Sequence, residues 1–246
     1  MPRLLEGTQL YKSFGGLTAT NGVDFFLQGG EILGLIGPNG SGKTTLFNLI
    51  AGVFKPDRGR IEFEGEEIAG RGCAAVCQQG IARTFQITRP FPLLTVLENV
   101  QLGRTFGSEP ARTIEQARTE ADEILRFIGL GSKRDVPAGR LGVIDRKRLE
   151  LGKALSTRPK VLLLDEIMAG LNPTEVLAAT DLVKQIRDSG VSIIIIEHMM
   201  KTIMGICHRV IVLNAGRKIA EGSPREVVAD RGVIEAFLGE DQDAED

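Results

Sequence analysis

Two periodicities alternate along this chain. Ile32–Ile36, Val161–Leu164, Val191–Ile196 and Val210–Leu213 are short, nearly unbroken apolar runs, whereas Leu46, Phe47, Leu49 and Ile50, and later Thr174–Asp188, space their apolar residues as a helix does. Runs of that length read as strands buried on both faces. Such strands alternating with amphipathic helices predict an α/β fold with a mainly parallel sheet. The opening of the chain differs. Leu4–Leu10 and Val23–Leu27 read as strands separated by Phe14-Gly15-Gly16, and Gly29-Gly30 turns the chain into Ile32–Ile36. Arg60–Gly65 alternates as a short strand after the Pro- and Gly-marked turn Gly52–Gly59, and Lys218–Ala220 returns from Val210–Leu213 through Asn214-Ala215-Gly216 as a hairpin.

Between Arg83-Thr84-Phe85-Gln86, which reads as the end of a strand, and Val161, the pattern turns helical. Ile87–Leu94 holds Pro90 and Pro92 and is too broken for a helix interior. Its Phe91, Leu93 and Leu94 are either a docking surface or side chains packed under a loop. Thr95 is placed as an N-cap for Val96–Leu102, with Glu98 completing a capping box. A longer helix follows, with Ile114, Ala117, Ala121, Ile124, Leu125 and Ile128 on one face, closed by Gly129. Residues from about 90 to 155 thus form a helical subdomain inserted in a single domain spanning 1–246. Pro224–Ala229 and Val233–Leu238 are short terminal helices, and the acidic tail 240–246 reads as a solvated end.

Composition narrows the class. A chain of 246 residues, 42% hydrophobic and 25% charged, is long enough for a sizeable core. Its net charge of −2 gives no general pull toward nucleic acid or anionic lipid, so no nucleic-acid partner is expected. No apolar run approaches the ~20 residues that cross a bilayer, and MPRLLEGTQLYKSFGG lacks the core of a secretory signal. The chain is therefore expected in the cytoplasm, reaching a membrane only through a partner. Cys73, Cys77 and Cys207 are too few for a disulfide framework, and with only His198 and His208 beside them a zinc site lacks ligands. All three are expected to pack as small apolar residues.

The chemistry centres on GPNGSGKTT, Gly37 to Thr45, directly after the first buried strand and before a helix. It fits G-x-x-x-x-G-K-[ST] at Gly37, Gly42, Lys43 and Thr44. Glycines let backbone N–H groups wrap a phosphate chain, Lys43 supplies a point charge for the β and γ phosphates, and the Thr44 hydroxyl can ligate Mg²⁺. Ligands gather at the carboxyl ends of parallel strands, which brings Asp165, Glu166 and His198 toward the loop. Asp165 can hold Mg²⁺ and Glu166 can polarise an attacking water. Phe14 could stack on a base, but one Phe beside two Gly is more often turn packing.

In this order the phosphate loop, Gln86, the helical insert, Asp165-Glu166, Ala169-Gly170-Leu171-Asn172-Pro173 and His198 resemble the nucleotide-binding domain of ATP-binding cassette proteins, over nearly the whole chain. The resemblance implies a P-loop NTPase core with an N-terminal antiparallel β subdomain and an inserted helical subdomain. It implies ATP and Mg²⁺ as cofactors. Phe14 would stack on the base, and Gly37, Asn39, Gly40, Ser41, Gly42, Lys43, Thr44 and Thr45 would bind phosphate. Thr44, Gln86 and Asp165 would hold Mg²⁺, while Lys43, Gln86, Glu166 and His198 would serve hydrolysis. Gln86 would also sense a membrane partner, and Asn172 would face a second subunit. The implied partners are transmembrane permease subunits and a second ATPase subunit, identical or different, with the chain peripheral on the inner face of the cell membrane. Phe14-Gly15-Gly16-Leu17, Arg83-Thr84-Phe85-Gln86, Ala220-Glu221-Gly222-Ser223-Pro224 and Ala236-Phe237-Leu238-Gly239 look like the ATPase subunits of branched-chain amino acid importers. That group handles hydrophobic amino acids and related small molecules.

One motif departs from the family. Where it carries Leu-Ser-Gly-Gly-Gln, this chain reads Leu141-Gly142-Val143-Ile144-Asp145, followed by the expected basic run Arg146-Lys147-Arg148. In that family the segment in one subunit caps the γ-phosphate bound by the other, which the resemblance implies here. Gly142 lacks the hydroxyl, Val143 and Ile144 crowd the approach, and Asp145 brings negative charge toward phosphate. An intact catalytic side beside a degraded capping side predicts an asymmetric pairing. Other readings are a soluble cassette ATPase outside transport, or a nucleotide-binding interaction subunit with little hydrolysis. Ile167, where the family has Pro, carries no clear consequence.

Overall fold

The computed structural model describes residues 3–85 and 88–238. In chain order they form β1 (Arg3–Phe14), β2 (Leu17–Gln28), β3 (Ile32–Ile36), α1 (Lys43–Ile50), β4 (Arg58–Phe63), β5 (Glu66–Glu67), α2 (Cys73–Gln79), β6 (Ile81–Arg83), α3 (Val96–Phe106), α4 (Ile114–Phe127), α5 (Val143–Ser156), β7 (Val161–Asp165), α6 (Pro173–Asp188), β8 (Ser192–Ile196), α7 (Met200–Ile206), β9 (Arg209–Asn214), β10 (Arg217–Gly222), α8 (Pro224–Ala229) and α9 (Arg231–Leu238). The described residues fall into two compact units, one built from the chain up to Cys73 and from Lys184 onward, the other from Ala74–Val183.

The first unit carries two kinds of sheet. β1 pairs antiparallel with β2 and β4, and β4 with β5, in the order β2-β1-β4-β5. Leu5, Leu10, Val23, Phe25 and Leu27 are buried while their neighbours reach the surface, the alternation of a sheet with one covered face. β3 is parallel to both β8 and β9, and β10 returns antiparallel to β9. Every residue of β3 and β8 is buried, which is why these stretches are apolar without alternation. The β9–β10 turn has Ala215 at φ 45° and Gly216 at φ 75°, so both central residues are left-handed as a two-residue hairpin requires.

In the second unit β6 and β7 run parallel, and α3, α4 and α5 share a core of Val96, Leu97, Val100, Ala121, Leu125, Ile128 and Leu149. Thr95 caps α3 through the predicted box: its hydroxyl accepts from the Glu98 N–H at 3.1 Å, and its own N–H donates to the Glu98 carboxylate at 2.7 Å. The helix continues to Phe106 rather than ending at Leu102, because Arg104, almost fully buried, ion-pairs with Glu120 of α4 and donates to the Glu109 carbonyl.

Two expectations are corrected. Ile114 is 80% exposed, because it opens α4 one residue after the Thr113 cap and projects outside the buried stripe of Ala117, Ala121 and Leu125. Cys73 is exposed at the start of α2, a helix with one buried residue, Val76. Cys207 does pack as a small apolar residue, and burial pushes its thiol up to about 12. Gln86, Ile87 and the tail 240–246 lie outside the described residues. Among the described residues no helix is long and apolar enough to cross a membrane.

Candidate nucleotide site

The phosphate loop leaves β3 at Ile36, between the exits of its two parallel neighbours: Leu35 is in register with Ile196 of β8, and Ile36 with Val212 of β9. The loop is braced from outside. The Gly216 N–H donates to the Ser41 carbonyl at 3.1 Å, and the Asn21 N–H donates to the Gly216 carbonyl at 2.8 Å, so the β9–β10 turn ties the loop to β2. Gly37 and Gly42 are fixed as glycine by this closeness. With φ of 148° and 102°, a Cβ would stand 2.0 Å from the Leu213 carbonyl oxygen at Gly37 and 2.3 Å from that of Ala19 at Gly42.

Inside the loop the polar groups are arranged for an anion. Lys43, nearly buried, curls its ammonium back to donate to the Gly37 and Pro38 carbonyls at 2.7 Å each. The Ser41 side chain is 2% exposed, and its hydroxyl has no hydrogen-bond partner among the described residues. A buried hydroxyl in that condition calls for a ligand acceptor or donor. α1 starts at Gly42 with no side-chain cap and no acidic residue in its first turn, leaving its N–H groups and dipole end open to phosphate. Thr44, Asn39 and Gly40 are exposed and Thr45 half-buried. The residues fit a polyphosphate.

Other parts of the first unit offer a base platform and a polar strand end. Phe14 sits at the β1–β2 turn, 42% exposed, with its ring set edge-on to Phe54 at 5.1 Å and the Lys12 ammonium 5.6 Å from its centroid. His198 lies just past β8 and is exposed, after a buried Glu197.

The carboxylates belong to the second unit. Asp165 ends β7, 4% exposed, and Glu166 follows with φ of 49°, a left-handed backbone that costs a non-glycine residue about 1–2 kcal/mol and recurs at functional sites. Both line a small recess together with Thr84, Lys147 and Glu150. Asp165 Oδ2 accepts from Arg83 Nη2 at 2.7 Å, and Lys147 of α5 donates to the Ile167 and Ala169 carbonyls, tying that helix to the segment after Glu166. A hard, buried carboxylate has the donor chemistry for Mg²⁺, which takes one or two carboxylates together with substrate phosphates rather than an all-protein cage. Among the described residues no cluster of three His, Cys, Asp or Glu could hold a metal without such help. Arg83 and Thr84 enter the sequence reading only within the stretch Arg83–Gln86, and Lys147 only within the basic run after Asp145, so sequence reasoning assigned them no role at Asp165 and Glu166.

The Leu141–Asp145 segment starts α5, with Gly142 as an N-cap that offers no side chain and Val143 71% exposed. The Asp145 carboxylate does not stand free toward an anion as the sequence suggested: it ion-pairs with Lys133. Asn172 caps α6, its Oδ1 accepting from the Glu175 N–H at 3.0 Å while its own N–H donates to the Glu175 carboxylate at 2.9 Å.

Comparison with known proteins agrees with this geometry. The family profile described as ABC transporter matches residues 20–169. The chain belongs to the ABC transporter ATP-binding cassettes. Members of that family are ATPases, and so is this chain. A second profile, described as branched-chain amino acid ATP-binding cassette transporter, matches residues 217–243 of this cassette. The cassette is 38% identical to the high-affinity branched-chain amino acid transport ATP-binding protein LivG of Salmonella typhimurium and 36% identical to its counterpart BraF of Pseudomonas aeruginosa. Each alignment covers 96% of this chain and 98% of the relative. Among solved structures it is similar to the ADP conformation of MJ1267, an ATP-binding cassette of an ABC transporter, with a TM-score of 0.88 and 33% identity over 97% of this chain and 100% of that one.

Proposed function

We propose that this cassette is the ATP-hydrolysing subunit of an importer for branched-chain or other hydrophobic amino acids, or related small molecules. The likeness to LivG and BraF over nearly the full length supports the substrate class. The buried Ser41 hydroxyl, without a hydrogen-bond partner among the described residues at the open end of α1, carries the nucleotide assignment. In this reading Gly37–Thr45 binds the phosphates of ATP, with Lys43 turning from its own loop carbonyls toward them, and the exposed face of Phe14 receives the base. Thr44, Gln86 and Asp165 hold Mg²⁺, which when bound neutralises charge on the transferred phosphoryl group. Glu166 takes the proton of the attacking water, and His198 contacts the γ-phosphate.

The partners proposed are transmembrane permease subunits, which place the chain on the inner face of the cell membrane, and a second ATPase subunit. The docking face for the permease is the loop before α3. Asn99, 1% exposed, pins it by accepting from the Phe91 N–H at 2.8 Å and donating to the Phe91 carbonyl at 3.0 Å, while Phe91 is 52% and Leu93 93% exposed. A loop held this firmly with its apolar side chains outward favours docking over packing beneath a loop.

Pairing with the second ATPase is asymmetric in this reading. With Asp145 neutralised by Lys133, what the Leu141–Asp145 segment lacks is ligand groups rather than a tolerable charge. It offers phosphate the start of α5 and no hydroxyl. Steady-state ATP turnover should be low for this chain alone. It should rise on co-assembly with an ATPase subunit carrying Leu-Ser-Gly-Gly-Gln, and vanish again with Glu166→Gln. Full, Glu166-dependent turnover by the chain alone would overturn the asymmetry.

A further inference from the structure

The end of β7 carries a cation of its own. Arg83 ends β6 and Asp165 ends β7, and the parallel register of Arg83 with Leu163 sets the two strand exits side by side. Arg83 Nη2 donates to Asp165 Oδ2 at 2.7 Å, with only 9% and 5% of the two side chains exposed. Thr84 clamps the same corner: its N–H donates to the Leu163 carbonyl at 2.9 Å, and its Oγ1 accepts from the Asp165 N–H at 3.2 Å. The guanidinium also lies 5.5 Å from the centroid of the Phe85 ring, a face on which it can rest. A carboxylate this dry is held in place by a cationic partner. The same partner, in a poorly screened corner, repels any second cation drawn to that carboxylate.

We propose that Arg83 is a positioning residue, a built-in counter-cation that holds the Asp165 carboxylate before magnesium arrives and lowers the affinity with which the metal is then taken. The metal site is thereby kept aligned when empty and easily exchanged when full. The proposal rests on the assignment of Asp165 as a magnesium ligand, so its test must let the two fail separately.

Mn²⁺ serves as the probe, its binding to the full chain in the presence of ADP being followed by electron paramagnetic resonance of the free ion. Asp165→Asn should weaken Mn²⁺ binding; unchanged binding there overturns the ligand assignment itself. With that control in place, Arg83→Gln should tighten Mn²⁺ binding about tenfold, Arg83→Lys should stay near the wild-type value, and ADP affinity in EDTA should be the same in both Arg83 variants as in the wild type. Unchanged or weaker Mn²⁺ binding by Arg83→Gln overturns the role of Arg83 and leaves Asp165 assigned. Should Arg83→Gln fail to fold, the wild-type chain with ¹⁵N-labelled arginine side chains decides. The Arg83 guanidinium signal, assigned through Arg83→Lys, should move on adding Mg²⁺ with ADP and stay still with ADP and EDTA. A signal that ignores Mg²⁺ overturns the proposal.

Discussion

Among the described residues the buried Ser41 hydroxyl has no hydrogen-bond partner. Leaving a buried polar group unpaired costs about 1–3 kcal/mol, a cost that a phosphate oxygen would remove. Ser41→Ala should therefore raise stability in urea by about 1 kcal/mol without nucleotide, while weakening Mg·ATP binding several-fold in a fluorescence titration. A loss of stability would mean that the hydroxyl has a protein partner in solution and is not reserved for phosphate. Ser41, Lys43 and Thr44 were legible in the sequence because their chemistry is local to one loop. The Arg83–Asp165 pair was not, because its members stand 82 positions apart and only the pairing of β6 with β7 joins them. Asp145 misled for a related reason: its charge is read from the sequence, but its neutralisation by Lys133 comes from a segment twelve residues away.

Where helix and strand boundaries are written in end signals, the sequence is a good guide. The α3 box was legible residue by residue, and its energetics follow. The Thr95 N–H, then its hydroxyl, hold the Glu98 carboxyl below the usual carboxylate range. Since the folded-state value is depressed, the contribution is present above the unfolded carboxylate range and fades as pH falls through the folded one. Thr95→Ala should cost about 1 kcal/mol at neutral pH, measured as a shift in the urea midpoint, and the gap to wild type should shrink toward pH 3. An equal gap at both pH values would mean that the carboxylate takes no part in the cap. α2 escaped detection because CAAVCQQ has no apolar stripe, burying only Val76, and Ile114 was assigned to the wrong face because a residue at a helix start can match the period without turning inward. The four buried runs were found because strands with two covered faces have little freedom in composition.

The two units divide the proposed work. The first holds the phosphate loop, Phe14 and His198; the second holds Asp165, Glu166, the start of α5 and the pinned apolar loop at Phe91–Leu93. Everything proposed to meet another subunit, apart from the nucleotide itself, thus lies between Ala74 and Val183. That arrangement allows docking and nucleotide binding to be damaged independently. Leu93 is almost wholly exposed and makes no contribution to the α3–α5 core, so Leu93→Asp should change stability by no more than about 0.5 kcal/mol. It should leave the ATP affinity of the chain within about twofold, because Leu93 is not among the residues proposed to bind nucleotide. Co-purification with the permease subunits should fall sharply, since a charge introduced into an apolar contact must be buried without a partner. Phe91→Ala, which removes the side chain flanked by the Lys153 ammonium at 5.7 Å, should act in the same direction. Retention of the permease by both variants would place the docking face elsewhere and return Phe91 and Leu93 to the surface residues that need no explanation.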